Sequence, residues 1–62
     1  MKRIVTYNYN LEGKTVFDPD NGCNYALGEY NYINKWYPAH NLDTDEDFYL
    51  TLGDLMGMYI VL

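Results

Sequence analysis

Cys23 is the only cysteine in a chain of 62 residues, and this narrows what the chain can fold into. No intramolecular disulfide can form. With His40 the only histidine, there is no Cys/His set for a structural zinc either. Domains this small bury a low fraction of their surface and usually depend on such staples, on oligomerisation, or on a dense apolar core. Eight Tyr, two Phe and one Trp supply bulk for the last option, since a large aromatic can bury about 150–250 Å². Together with a hydrophobic share of 48%, they predict a folded chain rather than a disordered one. The expectation is a single small domain over 1–62, with a homodimer as one way to extend its core. Lack of staples favours a cytoplasmic location. Lys2 and Arg3 are followed too soon by Tyr and Asn for a signal peptide. The longest apolar stretch, LMGMYIVL at 55–62, is far short of the roughly 20 residues that cross a bilayer.

The net charge of −5 is unevenly placed. Lys2, Arg3, Lys14 and Lys35 balance Glu12, Asp18, Asp20 and Glu29 in the first 35 residues. Asp43, Asp45, Glu46, Asp47 and Asp54 stand beyond them with no Lys or Arg. A chain that grips a phosphate backbone needs a basic patch, and none is visible. The asymmetry points instead to a partner that is itself basic.

Residues 2–9 alternate as a strand, with Val5, Tyr7 and Tyr9 on one face. NLEG at 10–13 reads as a turn and KTVFD at 14–18 as a second strand, forming a hairpin with the first. DPDNG at 18–22 is a turn, and 25–33 a third extended segment that Gly28 weakens. YNYN at 7–10 recurs as YNYIN at 30–34, which suggests two strands each presenting paired tyrosines. Pro38 argues against a central strand in 34–42. From there, Asp43 or Thr44 with Glu46 or Asp47 reads as a capping box. Phe48, Leu52, Leu55 and Tyr59 share a helical face, and Gly57 ends the helix. The competing reading is a hairpin with Gly53-Asp54 at its turn. Residues 58–62 form a final strand, apolar on both faces and so central.

The fold class expected is therefore α+β: an antiparallel sheet of three to four strands with one helix packed on one face, in the order β-β-β-α-β. The expected core comprises Val5, Tyr7, Val16, Phe17, Leu27, Tyr32, Ile33, Phe48, Leu52, Leu55, Tyr59 and Ile60.

Little in the chain points to chemistry. Asp18, Asp20 and Glu29 fall on calcium-loop positions, but Cys23 stands where such a loop needs glycine. The segment is read as an ordinary turn, with no metal and no cofactor. His40 has no serine to activate, since the chain contains none, and Cys23 has no activating cation nearby in sequence. No catalytic residue is assigned and no enzymatic activity is expected. The acids are the most informative feature. On an ideal helix Asp43, Asp47 and Asp54 fall within about 40° of one another, with Leu50 as an exposed apolar contact beside them. Tyr49, Trp36 and Tyr37 would add contact area, because Trp and Tyr are enriched in binding hot spots.

In size, acidity and heavy use of Asn and Tyr, the chain resembles the small inhibitors made by phages and mobile elements, including DNA mimics and anti-CRISPR proteins. The resemblance is one of character, carried by no motif, and it assigns no residue a role. It implies a protein-binding inhibitor that blocks a basic or nucleic-acid-binding surface of a host protein, in the host cytoplasm if viral. The alternative is a structural or accessory subunit that associates through the edge of its final strand.

Overall fold

A computed structural model describes residues 1–5 and 10–61. Their backbone forms strands β1 (Lys2–Arg3), β2 (Thr15–Asp18), β3 (Cys23–Leu27), β4 (Trp36–Asn41), β5 (Asp47–Thr51) and β6 (Tyr59–Val61), with one helical turn, α1 (Leu52–Leu55), between the last two. All six strands join one sheet in the order β1-β6-β2-β3-β4-β5, and every pairing is antiparallel. The expected sheet of three to four strands with a packed helix over 43–57 is thus replaced by a six-stranded sheet with a very short helix.

Composition explains why 47–51 is a strand. Phe48, Tyr49 and Thr51 pack well on a pleated surface and lose rotamer freedom in a helix. Gly53 would cost a longer helix about 1 kcal/mol. A cap and favourable dipole contacts contribute only about 1–2 kcal/mol in return. Pairing with β4 satisfies backbone groups on both strands, from Trp36↔Thr51 to His40↔Asp47. The capping motif does occur, but later. Thr51 Oγ1 accepts the Asp54 N–H at 3.1 Å, and Asp54 Oδ2 accepts the Thr51 N–H at 3.0 Å. Gly57 ends the turn as expected, with φ +90°. The alternative hairpin fails too: β5 pairs β4 while β6 pairs β2 and β1.

The DPDNG turn connects β2 to β3 as its chemistry suggests. Asp18 Oδ1 accepts the Asp20 N–H at 2.9 Å, and Gly22 supplies φ +74°. Among the described residues the expected hairpin between 2–9 and 14–18 is not seen: Lys2–Arg3 pairs β6, and β2 pairs β3 and β6; 6–9, including the expected core residue Tyr7, lie outside the described residues. The predicted extended segment 25–33 stops at Leu27. Beyond it, 32–35 is a turn organised by Asn31, whose Oδ1 accepts the N–H groups of Ile33 and Asn34. The final strand lies between β1 and β2, so it is central rather than an edge.

Pro38 does sit in a central strand, and the register explains how. Gly28 N–H donates to Pro38 O at 2.8 Å, so the missing proline N–H would have pointed back at Gly28, just past the end of β3. On the other side Pro38 faces Tyr49. The backbone bond from Asn41 N to Glu46 O at 2.8 Å makes that facing position one where β4 donates nothing. The proline therefore costs the sheet only the last bond of the β3–β4 ladder, the one to the Gly28 carbonyl, and none between β4 and β5.

One face of the sheet is buried. Ile4, Leu11, Val16, Tyr25, Leu27, Tyr37, Ala39, Leu55, Met58 and Ile60 form the core. Val16, Leu27, Leu55 and Ile60 were expected there. Val5, Tyr32, Ile33 and Phe48 are exposed instead, and Phe17, Leu52 and Tyr59 are half-buried. The Ile4/Val5 exchange is a one-residue change of facing, which in extended chain moves every side chain to the other side. The paired tyrosines of 30–34 lie off the sheet; Tyr30 packs on Tyr37 with ring centres 4.8 Å apart.

Candidate protein-binding site

β2 and β4 run in the same direction, so the turns that follow them emerge at one end of the sheet. The first carries Asp18 and Asp20, the second Asp43, Asp45, Glu46 and Asp47. The opposite end carries Lys14 and Lys35 together with Glu12 and Glu29, in the turn before β2 and the connection from β3 to β4. The charge asymmetry of the sequence thus becomes a net acidic end, where Arg3 and Asp54 share a cavity with Asp18 and Asp20, and a roughly neutral one.

The acidic turn after β4 is held by a buried residue that sequence reasoning missed. Asn41 is 4% exposed. Its Oδ1 accepts the N–H groups of Asp43 at 2.9 Å and Thr44 at 3.2 Å. Its backbone N–H donates to Glu46 O, and its carbonyl accepts from Asp45 N–H. Asp43 in turn accepts the Asn24 N–H at 2.8 Å, fastening the turn to the start of β3. Asp45 adopts φ +61°, a left-handed conformation that Asp tolerates better than most residues. The signal for this turn was present as NLDTD, in which Asn and Asp commonly bond to nearby backbone. It was read as the start of a helix because the same residues also cap helices.

Asp45 and Asp47 flank His40. Its Nδ1 lies 2.9 Å from Asp47 Oδ1 and its Nε2 3.1 Å from Asp45 Oδ1. Carboxylates only accept, and a neutral imidazole has a single N–H, so only the imidazolium satisfies both contacts. Hydrogen bonding to Asp47 first, and then to Asp45, raises the His40 pKa above its ordinary 6.5. A raised folded-state pKa means that the stabilisation is complete below the unfolded value of 6.5 and is lost as pH climbs through the higher folded value. The melting temperature of the wild type relative to His40→Gln should therefore be most favourable below the ordinary value of 6.5 and should lose that advantage as pH rises through the higher folded value. An NMR titration of the single histidine checks the cause: Asp47→Asn should lower its pKa more than Asp45→Asn. A His40 pKa at or below 6.5 in the wild type would remove the basis for the effect.

The residues singled out by sequence distribute as follows. Asp43, Asp45, Glu46 and Asp47 are brought together, on a turn rather than on a helix. Asp54 is separate, engaged in the α1 cap, so the stripe of Asp43, Asp47 and Asp54 does not exist. Leu50 is half-buried against the core instead of exposed. Tyr37 is also internal, at 4% exposed. Its hydroxyl accepts the Leu11 N–H at 3.4 Å, and burial raises its pKa. Trp36 and Tyr49 remain outside. They lie on the solvent face of β4 and β5, with ring centres 4.8 Å apart and planes 32° apart. Beside them Ala26, Pro38, His40 and Asp47 line a shallow cavity of about 330 Å³. The site that remains is an acidic turn next to a tilted aromatic pair.

No family model, no curated protein and no solved structure matches the chain. Among the described residues no helix is long and apolar enough to cross a membrane.

Proposed function

We propose that this is a small acidic protein-binding inhibitor that covers a basic or nucleic-acid-binding surface of another protein, of the kind made by phages and mobile elements. It acts in the cytoplasm, by binding rather than by catalysis. The observation that supports this reading is the gathering of Asp18, Asp20, Asp43, Asp45, Glu46 and Asp47 at one end of the sheet, beside the exposed Tyr49 and its neighbour Trp36. A concentrated field of one sign steers an oppositely charged partner into encounter, and an aromatic anchor then slows its departure.

The test begins with a partner recovered by pull-down and follows its binding kinetics at two salt concentrations. Asp43 fastens the turn and Asp54 caps α1, so changing either would confound stability with recognition. Asp45→Asn with Glu46→Gln leaves both in place and gives up only the Asp45 contact to His40, so the kinetics are run above the His40 titration, where that contact no longer stabilises the fold. Asn also tolerates the left-handed backbone at 45. The pair should slow association about tenfold at low salt, with less effect at high salt, where screening acts over about 8 Å. Tyr49→Ala should instead speed dissociation. An unchanged on-rate at low salt would show that the acidic turn is not what the partner reads.

A further inference from the structure

The face of the sheet opposite the core carries a site that the acidic turn only borders. Tyr37, Ala39 and Asn41 of β4 point inward, so Pro38 and His40 point outward. Register sets Tyr49 beside Pro38, and Asp47 and Ala26 on either side of His40. Gly28 sits against the Pro38 ring. Ala26 and Gly28 carry little or no side chain, and the surface dips there into the cavity of about 330 Å³. That is the small end of the about 300–1,000 Å³ range of ligand sites, room for one side chain rather than a cofactor. Its lining combines two chemistries. Ala26, Gly28 and Pro38 supply apolar surface beside a tyrosine ring that is 64% exposed. Two residues further along the strands, about 7 Å away, stands the Asp47 carboxylate. Asp45 and Asp47 hold His40 between them, so this cluster stays negative whether or not the imidazole is charged.

We infer that this cavity receives an arginine side chain of the partner, its stem along Pro38 and Tyr49 and its guanidinium on Asp47. An apolar trough that ends at an exposed carboxylate complements a side chain with an apolar stem and a positive head. Arginine suits it better than lysine. A guanidinium is planar and weakly hydrated, lies flat on an aromatic ring, and bonds both oxygens of a carboxylate at once; an ammonium holds its water in so open a site. The arginine comes from the basic surface of the proposed partner, so its source rests on that reading. His40 is then a built-in competitor. The charged groups that face it are Asp47 on β5 and Asp45 on the turn, while β3 sets uncharged Ala26 beside it. A guanidinium on Asp47 and a proton on His40 draw on the same carboxylate, so each weakens the other by the same factor. Arginine binding therefore tightens as pH rises through the His40 titration, and bound arginine lowers the pKa that the two carboxylates raise.

NMR titration of the isotope-labelled full chain with N-acetyl-arginine methylamide, and with its lysine counterpart, tests this with no partner in hand. Saturable shifts should appear at the amides of Ala26, Gly28, His40, Asp47 and Tyr49, with a dissociation constant in the millimolar range. Arginine should bind at least about threefold more tightly than lysine. Asp47→Asn and Tyr49→Ala, both at exposed positions, should each weaken binding at least about threefold while the spectrum stays folded. Affinity should be about two- to threefold higher above the His40 titration than below it, and His40→Gln should remove that difference. The same spectra read the histidine itself, whose titration should move to lower pH as arginine is added. Shifts that do not saturate, or that are confined to 43–46, overturn the inference. So do equal binding of lysine, indifference to Tyr49→Ala, or an affinity that ignores pH. The recovered partner separates the two readings. If it reads Asp45 and Glu46 while arginine fails to seat here, only this site falls; if arginine seats and the partner ignores the turn, only the proposed function does.

Discussion

Leu55→Ala should leave much of the protein unfolded at room temperature, while Phe48→Ala should not. Leu55 is fully buried where α1 crosses the inner face of the sheet. Truncating it removes the transfer free energy of the lost atoms and leaves a cavity, a cost of about 2–5 kcal/mol. A domain of this size has only about 3–5 kcal/mol in total, so the effect approaches the whole stability. Phe48 is 40% exposed at the sheet edge, where it meets Tyr25 edge-on with ring centres 6.0 Å apart. Its truncation should cost nearer 1–2 kcal/mol, roughly the lost part-burial and the aromatic contact. Urea melts of the two variants separate the sheet from a helix over 43–57, which would bury both residues alike. Equal shifts in the two midpoints would contradict the observed placement of Phe48.

Gly28→Ala should be the most damaging single-methyl change on the other side of the sheet, and Pro38→Ala should rescue it. A Cβ at position 28 would stand 2.9 Å from Pro38 Cγ, closer than carbon atoms approach without displacement. Either the proline ring must shift within β4 or the end of β3 must part from it, and overpacking of this kind costs about 1–3 kcal/mol. Removing the ring relieves the conflict, so the double variant should be more stable than Gly28→Ala alone. That inverts the simple addition of two destabilising changes and is the signature of direct coupling. Thermal melts of the four proteins measure it. If Gly28→Ala melts with the wild type, the close approach of the two residues is relieved at no cost, and Gly28 is not required by Pro38.

How much of this was legible before the structure depends on how local each feature is. The turn at Asp18–Gly22 and the stop at Gly57 were legible because positive φ and side-chain bonds to nearby backbone are decided within a few residues. β2 and β6 were legible from their β-branched and aromatic content. β4 was not, although its burial alternates cleanly with Tyr37, Ala39 and Asn41 inward. Two of those three are not conventional core residues, and Pro38 between them is a warning against a strand. Only the position of Gly28 across the ladder makes that proline admissible.

The acidic site divides in the same way. Sequence alone determined the charge imbalance, since ionised carboxylates carry their charge in any fold. It also pointed to Asp43 as a residue that would bond nearby backbone N–H groups, while the same tendency of Asn41, Thr51 and Asp54 went unread. Tertiary structure decided which turn or helix end each would serve. Asp43 was free to cap a helix or to hold a turn against Asn24, and the two differ locally by about 1 kcal/mol. Strand β4, which needed a partner along its outer edge, settled the choice by taking 47–51 into the sheet. Preferences of that size are outweighed by pairing between segments far apart in the chain, which no local window contains.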